Sequence, residues 1–270
     1  MLFVRDKGRM CNNILQYAHV YAWAREHGRK SMSMRFAYKY PYFHISDTKY
    51  HNFFFYLLGK YGAKIGLFKT VSFDCESADY SANETQMLTH QHLLVEGWYV
   101  RYYDLFLKYK AEILRLFRFH DDIEEKITQT LAPFKDSIKL GVHIRRGDYA
   151  RWQGGKYFYN DDQFMHVIAQ FVSLYPDKTV EIFICGNDPK LNRDAYKHAF
   201  GNGFVHFPNG NPGEDLCFLS HCDYLIGAPS TFTLTASMYH NVPLYWILDP
   251  LKPLTRESFE YFDHLFKHII

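Results

Sequence analysis

Lys139-Leu-Gly-Val-His-Ile-Arg-Arg-Gly-Asp-Tyr149 starts as an apolar run and ends in a cluster of charge. Ile138, Leu140, Val142 and Ile144 alternate, so a strand of period two puts them on one half-buried face. Gly141, His143 and Arg145 share the opposite face. Arg146 then points away from Arg145, Gly147 turns the chain, and Asp148 is placed to bond loop amides or pair with an arginine. An imidazole and a guanidinium therefore aim into one crevice outside the carboxyl end of a strand, where open α/β sheets bind their ligands. A planar, permanently charged fork in that place suits a phosphate or a carboxylate. Taken alone, the same residues also read as a core histidine and surface arginines paired with Asp148, so the decision passes to the rest of the chain.

Downstream, the apolar periodicity predicts a helix over 161–173, a strand over 180–184, a helix over 188–199 and a short strand over 204–206. A helix over 213–221, a strand over 223–227, a helix over 231–239 and a strand over 244–247 follow. Such alternation means an α/β fold with a parallel sheet covered by helices. Pro133 closes a helix predicted over 121–131, which places a domain boundary near 133–137 and divides the chain into 1–135 and 136–270. The closing segment ends in a short helix able to pack back on the N-terminal half. Two turns in this region can meet a ligand. Gly186-Asn187-Asp188 follows a strand at a helix start, and Ser230-Thr231-Phe232 forms a hydroxyl-rich cradle at another. Each also reads as a simple helix cap.

Upstream, Leu2-Phe3-Val4 is a short strand, a loop runs through Asp6 and Gly8, and a helix follows with Asn12 or Asn13 as its cap. Ser31 to Phe36 is the next strand, making one β-α-β unit. A single helix is predicted over 104–117. Residues 37–70 are crowded with aromatics, among them Phe53-Phe-Phe-Tyr-Leu-Leu58 with Lys60, Lys64 and Lys69 nearby. Three readings stand, in order of preference: a core helix plus loop, an acceptor-binding wall, and a patch resting on a membrane surface.

The 270 residues suffice for two domains with sizeable cores. A net charge of +2 argues against a phosphate-neutralising nucleic-acid protein. The 19% of aromatic residues suits sugar stacking as well as core. Five scattered cysteines, with neither a Cys-x-x-Cys nor a His pair at zinc spacing, read as reduced thiols of a cytoplasmic protein without a bound metal. No segment has the pattern of a signal peptide, and none approaches the roughly 18 to 20 apolar residues of a membrane span.

Three motifs together resemble the α-1,2-fucosyltransferases of glycosyltransferase family 11, and more broadly the GDP-fucose-dependent enzymes with a His-x-Arg-Arg-x-Asp motif. His143-Ile-Arg-Arg-Gly-Asp148 matches that motif completely. Gly8-Arg-Met-Cys-Asn12-Asn-Ile-Leu-Gln16-Tyr-Ala18 echoes the family's amino-terminal Gly-x-Leu-Gly-Asn-Gln-x-x-Gln-Tyr-Ala, with Cys11 in place of glycine and Asn13 in place of glutamine. Asp215 to Asp223 and Ser230 to Phe232 echo a late Asp-Leu-x-x-Met-Ser-x-Cys-Asp and its Ser-Ser/Thr-Phe turn.

The resemblance implies a GT-B-like fold of two Rossmann-like domains facing a cleft. The acceptor side would be N-terminal and the donor site mainly C-terminal. It implies a bacterial-type inverting, metal-independent transfer of L-fucose from GDP-fucose to a glycan hydroxyl, expected to be O2 of a galactose, in surface polysaccharide assembly. By the same analogy Arg145 binds the β-phosphate and His143 the diphosphate or ribose, Asp215 reads guanine, and Ser230, Thr231 and Phe232 hold phosphate. Gly8 and Asn12 join the donor site, while Arg146 and Asp148 support the loop. Asp6, His44 and Asp47 are candidate bases. The partners are a nucleotide-sugar donor and a glycan acceptor, lipid-linked or free, with peripheral contact to the inner membrane face open. Another linkage, another GDP-deoxysugar and an inactive binding module remain alternatives.

Overall fold

The computed structural model describes residues 1–186 and 188–268, which form two compact units, Met1–His120 and Asp121–Ile270. In the first, β1 (Leu2–Arg5), α1 (Met10–Glu26), β2 (Ser31–Ser33), α2 (Phe53–Lys64), β3 (Lys69–Ser72), α3 (Tyr80–Thr89), β4 (Leu93–Glu96), α4 (Tyr103–Lys108) and α5 (Lys110–Leu116) follow one another. Its parallel sheet has the order β2-β1-β4-β3. Leu2, Phe3, Val4 and Leu93 to Val95 are buried without alternation, as strands covered on both faces must be.

The first helix starts at Met10, so Asn12 and Asn13 lie inside it, and its extended N-cap Arg9 makes no side-chain capping bond. The asparagines hold no cap because the preceding loop is fastened from within the helix. Gln16 accepts the Lys7 amide at 3.0 Å and donates to the Lys7 and Asn12 carbonyls. β2 ends at Ser33, three residues before expectation, because its hydroxyl donates to Asp6 and accepts the Phe36 amide, which turns the chain. The helix expected over 104–117 breaks at Tyr109 into α4 and α5.

The second unit comprises α6 (Asp121–Leu131), β5 (Ile138–Ile144), α7 (Asp161–Ser173), β6 (Val180–Gly186), α8 (Arg193–Phe200) and β7 (Val205–His206). It continues with α9 (Pro212–Ser220), β8 (Tyr224–Gly227), α10 (Thr231–His240), β9 (Leu244–Trp246) and α11 (Phe262–Leu265). The parallel sheet has the order β7-β6-β5-β8-β9. Leu140, Val142 and Ile144 enter the core on one face of β5, as their alternation predicts. On the other face Gly141 lets α9 approach, since a Cβ there would lie 2.8 Å from the Leu219 and Leu225 side chains.

The division between units falls after His120, upstream of the 133–137 expected from Pro133. α6 belongs with the second unit because Ile123, Ile127 and Leu131 are buried and its polar face is tied to α9 by Glu124–His221 at 2.8 Å and Lys126–Glu214 at 2.6 Å. The closing segment also belongs to this unit, with Phe262, Leu265 and Phe266 buried. Asn187 lies outside the described residues, and α8 begins only at Arg193, capped by Asn192. Asp188 therefore does not open that helix.

Candidate functional site

In the second unit the connections from β5 and β8 leave toward opposite edges of the sheet, which makes their carboxyl ends the topological switch point of a Rossmann-type order. The sequence brings two things to that point: the loop after β5, with Arg145 and Arg146, and the turn into α10, with Ser230 as its N-cap. His143 lies in register with Cys185 on β6 and Gly227 on β8. A Cβ on Gly227 would come within 2.9 Å of the Thr233 methyl, so glycine there admits the first turn of α10 close to β5. Phe232 consequently stacks on His143, with ring centroids 4.6 Å apart and planes 16° from parallel.

Burial, with the nearby Arg145 charge, lowers the His143 pKa to about 3, so the imidazole is neutral across the physiological range. Its Nδ1 is buried with no hydrogen-bond partner. Arg145 donates from one terminal nitrogen to Asp148 at 2.8 Å, and its guanidinium lies over the Tyr149 ring, 5.4 Å from the centroid. Its Nε is buried and unpartnered. His143 and Arg145, two positions apart at the end of β5, thus each carry an unused polar atom, a costly arrangement unless a ligand completes it.

Arg146 has the opposite role. Its Nε donates to the Tyr159 carbonyl at 3.0 Å and its terminal nitrogens to Asp188 at 3.0 Å and Asp161 at 2.6 Å. Asp161 also accepts the Tyr196 hydroxyl at 3.0 Å. Gly147 makes the intervening turn with φ of +56°. Tyr149, which sequence reasoning passed over, closes the other side by donating to the Pro229 carbonyl, tying the β5 loop to the β8 turn. Arg145 is held from below by Tyr149 while Arg146 pins the backbone behind it.

Ser230 acts as a cap, accepting the Thr233 amide at 3.3 Å, and Trp246 donates to the Thr233 hydroxyl at 3.1 Å. Thr231 and Phe232 are the first residues of the ten-residue helix, whose amino end carries partial positive charge. Asp215 sits in the first turn of α9, whose capping box is made by Asn211 and Glu214. Burial raises its pKa to about 7 against the pull of the Gly210 amide, and its Oδ1 is unpartnered. Its charge is felt by Cys185, the register neighbour of His143.

Gly8, Asn12 and the three candidate bases belong to the first unit. Gly8 has φ of +92°, and a Cβ there would lie 2.6 Å from the Asn12 amide nitrogen, so the pair shapes the loop between β1 and α1. His44 and Asp47 pair with each other at 3.0 Å in a half-exposed cluster with His120. Asp6 is buried at the end of β1, its Oδ1 unpartnered, and burial raises its pKa to about 8 despite the Ser33 hydroxyl and the Arg35 charge. That value exceeds the unfolded one, so the folded state keeps an extra proton between about pH 4 and pH 8. Stability should therefore decline as pH rises through that window, and Asp6→Asn should flatten the decline in chemical denaturation at stepped pH.

All five cysteines are unbridged, and two groups carry metal-type ligands close together, His44, Asp47 and His120 in the first unit, and Glu124, Cys217 and His221 on α6 and at the end of α9.

No family model matches the chain. It is 25% identical over 261 residues to the galactoside 2-α-L-fucosyltransferase Sec1 of Mus musculus, covering 88% of this chain and 64% of that protein. It is 25% identical over 260 residues to galactoside α-(1,2)-fucosyltransferase 2 of Oryctolagus cuniculus, covering 88% and 66%. The chain thus spans just under two thirds of the length of these relatives. Among solved structures, an Arabidopsis thaliana FUT1 variant with GDP matches with a TM-score of 0.61 and 14% identity over 96% of this chain and 73% of that one. NodZ α-1,6-fucosyltransferase soaked with GDP-fucose matches with a TM-score of 0.56 and 13% identity over 90% and 94%. The fold is that of these fucosyltransferases, in agreement with the expected two-unit α/β architecture.

Proposed function

We infer that this relative of the α-1,2-fucosyltransferases transfers L-fucose from GDP-fucose to a glycan hydroxyl, with O2 of a galactoside as the acceptor position. The observation that carries the reading is the pair of unused buried atoms, Arg145 Nε and His143 Nδ1, at the switch point beside the amino end of α10. The galactoside-specific names of the curated relatives support the acceptor.

In the proposed reaction the acceptor oxygen attacks C1 of fucose as the bond from C1 to the β-phosphate oxygen breaks, so the anomeric centre inverts. GDP leaves with the electron pair of that bond and its added negative charge, and the acceptor hydroxyl passes its proton late to the departing phosphate. Arg145 and the first amides of α10 face that charge with fixed positive ends, which lowers the barrier without reorganisation and gives a metal-independent route. Neutral His143 orients the diphosphate or ribose as a hydrogen-bonding group, not as an acid. Ser230, Thr231 and Phe232 shape the phosphate cradle, and Arg146 and Asp148 hold the Arg145 loop. The unbridged thiols favour a reducing, cytoplasmic compartment, where a bacterial-type enzyme would act in polysaccharide assembly.

Asp215, as a carboxylate, accepts the ring and amino N–H groups of guanine. A carboxyl titrating near pH 7 must ionise to do so, so GDP affinity should fall as pH drops below 7, approaching tenfold per unit. Calorimetry between pH 5 and 8 checks this, and Asp215→Asn should weaken binding and remove the slope.

Function is tested by incubating the chain, in chelator, with GDP-fucose, GDP-mannose or UDP-galactose and a soluble galactoside. A fucosylated product identified by NMR as α-1,2-linked supports the proposal. Product only with added divalent metal would refute the metal-independent route, and linkage at another hydroxyl would correct the acceptor position. GDP-fucose binding without turnover on any acceptor would leave a binding module.

A further inference from the structure

The helix α2 leaves much of its apolar bulk turned away from the first unit's core. Its small residues face inward: a Cβ on Gly59 would lie 2.7 Å from the Phe3 ring, and one on Gly62 would strike the Phe68 ring. Phe55 and Tyr56 pack partly on the core, but most of the other bulky residues face out. Phe54, Leu58, Tyr61 and Ile65 recur at helical spacing on the opposite side, with Phe54 70% and Ile65 75% exposed, and Leu67 in the following turn is 67% exposed. The preferred core-helix reading of this segment therefore holds for one face: Phe55 and Tyr56 pack on the core beside the glycines, while Phe53, Phe54, Leu58 and Tyr61 are displayed.

A large apolar stripe left in water is costly unless something covers it. The charge around it says what. From Thr48 to Phe73 there is no acidic residue, while Lys49, Lys60, Lys64 and Lys69 all lie in that stretch and are exposed. Lys60 and Lys64 flank the stripe on one side of the helix, and Lys60 lies 5.6 Å from the centres of the Tyr56 and Tyr61 rings. Apolar bulk with basic residues at its margin and no acid matches the interface of an anionic bilayer, where the side chains enter the acyl boundary and the lysines meet headgroup phosphates.

We propose that the outward face of α2 and its following turn is a docking surface for an anionic lipid bilayer. No helix among the described residues is long and apolar enough to cross a membrane, so the contact is one that lies on the surface. The inference does not rest on the transfer reaction.

The test is co-sedimentation of the full chain with phosphatidylglycerol-containing vesicles beside pure phosphatidylcholine vesicles, across a salt series. Binding to the anionic vesicles that weakens with salt is expected. Combining Phe54→Ser, Leu58→Ser and Ile65→Ser should lower it at least tenfold, and so should Lys60→Glu with Lys64→Glu, at roughly fivefold per basic residue removed. GDP binding and circular dichroism, read in parallel, monitor folding. Equal binding to both lipids, no binding to either, or undiminished binding by the folded apolar variant overturns the proposal. So does a concentration-dependent dimer that the apolar variant abolishes without any vesicle binding by the parent chain. If a variant fails to fold, the headgroup and salt dependence of the unmodified chain decides.

Discussion

Arg145→Ala should reduce fucosyl transfer from GDP-fucose at least about a hundredfold while the protein remains folded. The fold tolerates the change because the side chain pairs with half-exposed Asp148, and such pairs contribute little. The proposed reaction would not tolerate it, because the lost guanidinium is the group assigned to the oxygen on which charge grows as GDP departs. Arg145→Lys should recover part of the loss, keeping the charge without the fork. Single-turnover rates, with circular dichroism on the same samples, give the comparison. Near-parental turnover of a folded Arg145→Ala protein would remove this residue from the chemistry.

The neighbouring arginine should behave in reverse. Arg146→Met leaves the Asp161 and Asp188 carboxylates facing each other without the buried cation that joins them, a loss of about 3 to 5 kcal/mol. For a unit of this size that corresponds to a fall in Tm of roughly 10 °C. The removed side chain fills the space behind the Arg145 loop, so activity should fall too, but together with the folded fraction. Calorimetry of the parent and of Arg146→Met decides: an unchanged Tm would show that the triad is dispensable. Burial alone would depress the Arg146 pKa, yet the hydrogen bonds to Asp161 and Asp188 reverse the direction and raise it, which is why methionine loses what burial cost to assemble.

One motif of two adjacent arginines therefore divides its labour by strand parity. The alternation of residues 138–145 predicts that Arg145 and Arg146 point apart, and it does so without knowledge of any neighbour. What the second guanidinium meets could not be read there. Asp161 is 15 residues away and Asp188 is 42 away, and nothing local marks either as its partner.

Local chemistry alone determined the strands, the alternation that makes the C-terminal sheet parallel, the Gly147 turn and the Ser230 cap, because each is decided within a few residues by sterics, period or one side-chain bond. Motif spacing likewise named Arg145, His143 and Asp215 as a group. Tertiary structure decided the rest. Asn12 looks like a helix cap, yet Gln16 fastens the loop and moves the helix start back to Met10. The run Phe53 to Leu58 looks like core, yet Phe53, Phe54 and Leu58 are exposed, because Gly59 and Gly62 hold the places against Phe3 and Phe68 where a Cβ would not fit. Pro133 looks like a boundary, yet α6 is drawn into the second unit by α9. The unused atoms of Arg145 and His143 also belong to this class. Their want of a partner is a property of everything packed around them, and long-range packing is what a one-dimensional period cannot encode.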